Sequence, residues 1–159
     1  MKRSALACMF ALLAGACVET GPTATRPLLV EPITPALDRY FSGLREPERL
    51  VIRDEREFAA IWTKAYGIIE PAPPIPEVDF KRNQVIVVAM GEQANGGYAI
   101  EVAGVAASGG RLAVDVMMTK PGPGCAVTGA LTQPLDMVKV PAIDAVPEFR
   151  DRTSMTRCS

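Results

Sequence analysis

The sequence predicts an α+β domain: an antiparallel β-sheet of about five or six strands, a meander that is sandwich- or barrel-like, with one α-helix packed on it. Three observations carry that expectation. Within an expected strand over 84–90, residues 85–89 form an unbroken apolar run rich in β-branched side chains, as a strand covered on both faces requires. The next two runs alternate, with Tyr98, Ile100 and Val102 on one face of the first and Leu112, Val114, Val116 and Met118 on one face of the second. Finally, Phe58, Ile61, Trp62 and Ala65 recur at helical spacing.

The chain has 159 residues, of which 48% are apolar and 22% charged, enough for one domain with a real core and not for two. Lys2 and Arg3 precede an apolar run over 5–14, too short to span a membrane as a helix and of signal-peptide length. Ala14, Gly15 and Ala16 then lead to Cys17. This resembles a bacterial lipoprotein signal, in which Cys17 becomes the lipidated N-terminus. It departs from that pattern in having Ala14 where Leu is usual, and Ala14-Gly15-Ala16 also satisfies an ordinary cleavage site. Cysteine parity favours lipidation. With Cys8 lost in the leader and Cys17 acylated, Cys125 and Cys158 remain as a disulfide pair in an exported domain; the alternative is two reduced, buried thiols. The expected division is a signal peptide over 1–16, a lipid-anchored Pro/Thr-rich tether over 17–36 and one domain over 37–159, located in the cell envelope. Pro22, Pro27, Pro32 and Pro35 argue against regular structure in the tether.

Within the domain, short strands are expected over 37–42 and 49–52. Asp54 stands as N-cap with Glu57 three residues on, so a helix should run over 55–66 and end at Gly67. Trp62 falls on its apolar face, which points to core packing rather than a ligand platform. Pro71, Pro73, Pro74 and Pro76 mark an extended spacer. Asn95-Gly96-Gly97 and Ser108-Gly109-Gly110 are read as the turns joining three successive strands, and a last strand over 134–140, bounded by Pro134 and Pro141, as an edge.

Composition narrows the chemistry. The chain has no histidine, which removes imidazole bases, Ser-His and Cys-His nucleophile pairs and the usual zinc and copper ligands. No cofactor, metal site or catalytic residue is expected. The net charge of −1 becomes −3 once Lys2 and Arg3 are removed, and with no basic run nucleic acid is not an expected partner. The least poor catalytic groupings are Lys120 or Lys139 with Ser108, or Glu101 with Asp115 across neighbouring strands, and neither comes with an oxyanion hole. The candidate partner-binding residues are Asn95, Gly96, Gly97 and Tyr98 and the corner Pro121, Gly122, Pro123 and Gly124, which could present backbone and an aromatic ring to another chain. Turn chemistry accounts for both elements without further cause.

Trp62 on its helix, Val78-Asp79-Phe80 before the apolar strand, Gly96-Gly97-Tyr98-Ala99-Ile100, the Pro121 to Cys125 corner and Ala130-Leu131-Thr132 ahead of Pro134 together resemble the C-terminal domain of the protease complex subunit PrcB family, over 49–142. Gly129, where that pattern commonly has Gln, and Leu135, where an aromatic often stands, depart from it. The resemblance implies a non-catalytic accessory lipoprotein that associates with and stabilises an exported partner such as a protease. A protease inhibitor-like binding protein and a small exported enzyme are the alternatives. Val18 after Cys17 fits the sorting rule by which some double-membrane bacteria pass lipoproteins to the outer membrane, and either membrane stays open.

Overall fold

The computed structural model describes residues 24–35 and 39–158. The expected signal peptide, Cys17 and the first part of the expected tether lie outside them, as does Leu37 at the start of the first expected strand. The elements in order are β1 (Arg26–Pro27), β2 (Glu31–Pro32), β3 (Pro47–Ile52), α1 (Glu55–Tyr66), β4 (Asn83–Met90), β5 (Ala99–Ser108), β6 (Arg111–Pro121), β7 (Leu135–Pro141) and β8 (Val146–Thr156).

The strands form two four-stranded sheets rather than one meander, and neither closes into a barrel. One sheet has the order β1-β5-β6-β8 and the other β2-β7-β4-β3. The second is the middle layer of three, because α1 covers its far face. β4 shows how: Ile86, Val88 and Met90 point into the core between the sheets, while Val85, Val87 and Ala89 point into the core beneath the helix. Every residue from Gln84 to Met90 is buried, so the continuous apolar run has the two dry faces it requires.

The same arrangement corrects the expected meander. β4 is bonded antiparallel to β3 on one side and β7 on the other, so both its ladder edges are occupied. The chain from β4 therefore crosses to the other sheet before β5 begins. Only β5 and β6 form the expected hairpin, with Ser108 opposite Arg111. Gly109 and Gly110 at φ 55° and 74° make the two-residue turn that matches strand twist.

Three further expectations change. Arg39 to Ser42 are not a strand; the Arg39 and Tyr40 carbonyls accept from Leu135 and Gln133 N–H instead. β7 is not an edge: the two residues of β2 pair with it, Glu31 with Lys139 and Pro32 with Val138. From residue 24 the expected tether is part of the sandwich, with Leu28 and Val30 packed on the inter-sheet core and Ile33 on the helix-side core. Prolines are tolerated there because β1 and β2 are two-residue edge strands, whose outer N–H groups have no ladder to join.

β8 follows the last strand expected from the sequence, over 134–140, and was not foreseen. It pairs parallel with β6 from Arg111↔Val146 to Pro121↔Thr156, β7 in the opposite sheet serving as the crossover that a parallel pair needs. Only Phe149 of this strand packs on the core.

The helix forms as its sequence indicates. The Asp54 side chain accepts from the Glu57 N–H at 2.8 Å, and Glu55 and Glu57 sit at the positive end of the helix dipole. Trp62 is buried among Phe58 and Tyr66, and its Nε1 donates to the Pro73 carbonyl at 3.1 Å. The tryptophan is a core residue that also anchors the proline-rich spacer.

The two sheets are held together by a polar contact as well as by packing. Asp136 of β7, whose side chain is 4% exposed, accepts from the Val102 N–H of β5 at 3.0 Å and from Thr34 Oγ1 at 3.1 Å, with Arg39 Nη2 at 3.5 Å. Val102 has this donor free because the β5–β6 register shifts between Val102 and Gly104. A buried carboxylate needs such partners, and here they come from both sheets.

Candidate functional site

The two glycine-rich elements singled out from the sequence lie at one end of the sandwich, where β4 ends, β5 begins, β6 ends and β7 begins. The Gly96 N–H donates to the Thr128 carbonyl at 2.9 Å, and Thr132 Oγ1 donates to the Asn95 carbonyl, also at 2.9 Å. Gln93 and Thr132 exchange backbone hydrogen bonds. The 93–98 turn and the 122–132 loop are thus one assembly.

Gly97 is the point of closest approach. Its φ is 85°, and a Cβ there would stand 2.9 Å from Val127 Cγ1 and 3.1 Å from Pro121 Cβ. A side chain would be strained in its backbone and would push the corner away. Gly122 is constrained from the other side, since a Cβ would collide with the Thr156 carbonyl of β8. Pro123 and Gly124 are exposed at the tip of the corner and take no part in these contacts. Next to them Cys125 and Cys158 form the expected disulfide, with Cα atoms 5.1 Å apart.

Beside this assembly is an open apolar cleft of about 390 Å³. Tyr40 and Phe41 line it from the segment before β3, Gly96 to Ala99 from the turn, and Thr128 and Thr132 from the loop. Tyr40 and Phe41 are 47% and 50% exposed, and Leu131 nearby in sequence to Thr132 is 55% exposed. Large apolar groups at half exposure around a concavity are what a docking surface presents. Tyr98 is half-buried and packs on the inter-sheet core, so it is a cleft wall and a core residue at once.

Tyr40 and Phe41 were missed because 37–42 was read as a strand. The signal was available: adjacent residues of a strand point to opposite faces, so two neighbouring aromatics cannot both be buried in a single core. Thr128 and Thr132 carried no sequence signal, since small polar residues in a glycine-rich loop look like spacing.

Of the catalytic groupings considered from sequence, Ser108 with Lys120 is not brought together. Ser108 and Lys120 stand at opposite ends of the β5–β6 hairpin, separated along β6 by about 30 Å at strand rise. Lys139 is paired with Glu31 at 2.8 Å. Glu101 lies opposite Met117, and Asp115 opposite Gly104 across the register shift, on the outer face of the sheet. Asp115 Oδ1 is buried without a hydrogen-bond partner. Among the described residues no group of three Cys, Asp or Glu side chains is placed to hold a metal, and no helix is long and apolar enough to cross a membrane.

Fold and site together define a small β-sandwich domain with one covering helix and an apolar cleft at the end where its glycine-rich turns meet. Residues 84–141 match the family model described as PrcB C-terminal, so that segment is similar to the C-terminal domain of the PrcB family. The matched segment runs from β4 through β7, so it contains both glycine-rich elements and the loop that closes the cleft. It is narrower than the 49–142 resemblance, leaving α1 and Trp62 outside. No curated protein and no solved structure matches the chain.

Proposed function

We propose that this protein is a non-catalytic accessory module of the bacterial cell envelope that binds an exported partner, a protease in the reading the family name favours, and stabilises it. The observation that carries this is the coincidence of two things: the PrcB C-terminal match covers 84–141, and that segment supplies most of the apolar cleft. The cleft offers apolar and backbone groups, suited to an aliphatic or aromatic side chain of another protein.

The position of the N-terminal segment supports the same reading. Arg26 pairs with Ala107, beside the Ser108–Arg111 turn, at the opposite end of the sandwich from the cleft. A lipid on Cys17 would hold the chain by that far end and leave the cleft facing away from the membrane. Lipidation at Cys17 and envelope location are part of this proposal.

The experiment is an affinity capture from detergent-solubilised membranes with the full chain, its Phe41→Ser variant and Cys17→Ala, with mass spectrometry of the N-terminus. The expected result is an acylated Cys17 and an exported protease retained by the native chain and lost from Phe41→Ser. Equal retention by both, or no protease at any salt concentration, would sink the reading. Adding the purified domain to the captured protease then separates stabiliser from inhibitor: longer-lived activity supports the first and slowed turnover the second.

A further inference from the structure

Cys125, bonded to Cys158, lies in the loop that lends Thr128 to one wall of the cleft. Cys158 is exposed and Cys125 half-buried, so an external thiol has access from the Cys158 side. Following the chain away from β6, the Cys125 N–H bonds only within the corner, to the Gly122 carbonyl at 3.2 Å. The first hydrogen bond from this loop to another element comes at Thr128, whose carbonyl accepts from Gly96. Among the described residues the disulfide is therefore the one strong tie between 123 and 127. That stretch carries Val127, the side chain packed against Gly97.

The rest of the fold does not lean on the bond. Neither hydrophobic core contains any residue of 122–131, nor either cysteine. The β6–β8 ladder reaches Pro121↔Thr156 independently of it.

We propose that Cys125–Cys158 is a redox latch on the cleft. Oxidised, it holds 122–128 against the 96–98 turn and keeps the wall in place. Reduced, it frees the loop while the sandwich stays folded. In the chemical step a thiolate of an external dithiol attacks Sγ of Cys158, breaking the S–S bond and releasing Cys125 as thiolate. The second thiol of the reductant then attacks the mixed disulfide and frees Cys158. The two cysteines gain two electrons and two protons, and the dithiol, a thiol-disulfide oxidoreductase or a small reagent, leaves as a disulfide. That the opened wall changes partner binding rests on the function proposed above; the latch itself does not.

Hydrogen exchange of the full chain, oxidised and after treatment with dithiothreitol, tests it directly, alongside the Cys125→Ser/Cys158→Ser double variant. On reduction, exchange in 122–131 and 93–98 should rise on the order of tenfold, with 84–90 and 135–141 unchanged. The double variant should match the reduced protein and not respond to dithiothreitol, and reoxidation of the native chain should restore protection. Unchanged exchange in 122–131 would show that the Gly96–Thr128 hydrogen bond and packing hold the wall alone. An equal rise in 84–90, or a reduced protein that no longer melts cooperatively, would make the bond a staple for the whole fold. Either result overturns the latch. Because the readout is the loop, a chain that binds no protease can still pass or fail.

Discussion

β4 and β8 are both long strands of the same domain, yet they are held by different physics. β4 is buried from Gln84 onward and bonded on both edges. No residue of β8 is buried, and it is bonded on one edge only. β4 needs two dry faces and therefore forces a third layer, so its apolar run dictates the architecture. β8 is placed by its parallel ladder to β6, by Phe149, and by a clamp between sheet edges in which Arg49 Nε and Nη2 donate to the Asp151 carboxylate at 3.1 and 2.8 Å. Its exposed charges, Arg150, Asp151 and Arg152, also protect an open edge from pairing with another chain. Stability is concentrated in the middle sheet, and adaptability is left to the end where the glycine-rich turns meet.

The contrast can be broken most severely where the two sheets meet. Asp136→Ala leaves the Val102 N–H unpaired and Arg39 without its carboxylate, and should cost about 3 kcal/mol or more, measured by denaturant unfolding. Against a domain stability of roughly 5–15 kcal/mol that is a large fraction. Ile86→Ala in β4 opens a void in the inter-sheet core and should cost about 2–5 kcal/mol. Thr153→Ala in β8 should stay within about 0.5 kcal/mol of the native protein by the same measurement. Equal losses at Ile86 and Thr153 would mean that the two strands do not differ as their burial indicates.

Smaller changes sharpen the comparison at the β8 edge. Asp151→Ala removes a bidentate pair that is 21% exposed at Arg49 and 40% at Asp151 and leaves the Arg49 bond to the Ala89 carbonyl of β4 in place. It should cost about 1 kcal/mol in thermal unfolding, and raise amide exchange in β8 without affecting β4. The smallest effect is at Glu148. Arg150, through a hydrogen bond and its charge, holds the Glu148 carboxyl below the ordinary value of 4.5, with Arg111 adding less. A depressed carboxylate contributes stability above its unfolded-state pKa and loses it as the pH falls through the folded value. The difference in melting temperature between native protein and Glu148→Gln should therefore be small at neutral pH, shrink as the pH falls below the ordinary carboxylate value, and vanish once it is below the depressed folded value. A difference that grows as the pH falls would contradict that sign.

The contrast also explains what could be read in advance. The helix was legible because its signals are local: Asp54 and Glu57 sit three residues apart, and the apolar positions repeat within one segment. The Gly109-Gly110 hairpin was legible for the same reason, as two adjacent residues with positive φ make the turn. The disulfide followed from parity among few cysteines. β8 was hidden because an exposed edge strand has no alternating apolar pattern to betray it, and its partner β6 lies a full crossover away. β1 and β2 were hidden by the prolines that make a segment look irregular and are harmless in a two-residue edge.

Of the site, the glycine turns and the Pro-Gly-Pro-Gly corner could be named from the sequence, but their meeting could not. Gly97 against Val127 and Pro121 is a contact between residues far apart along the chain, and the cleft exists only because Tyr40 and Phe41 are brought to it by the chain running along β7. By itself the sequence determined the absence of histidine, the helix with its cap, the strands of the core and the pairing of Cys125 with Cys158. All of these depend on residue type or on neighbours a few positions apart. The tertiary structure alone decided that β4 and β5 lie in different sheets, that β8 completes one of them, and that an apolar cleft opens at one end. Those outcomes depend on which strand edges are already occupied when the layers close, and no local pattern encodes that.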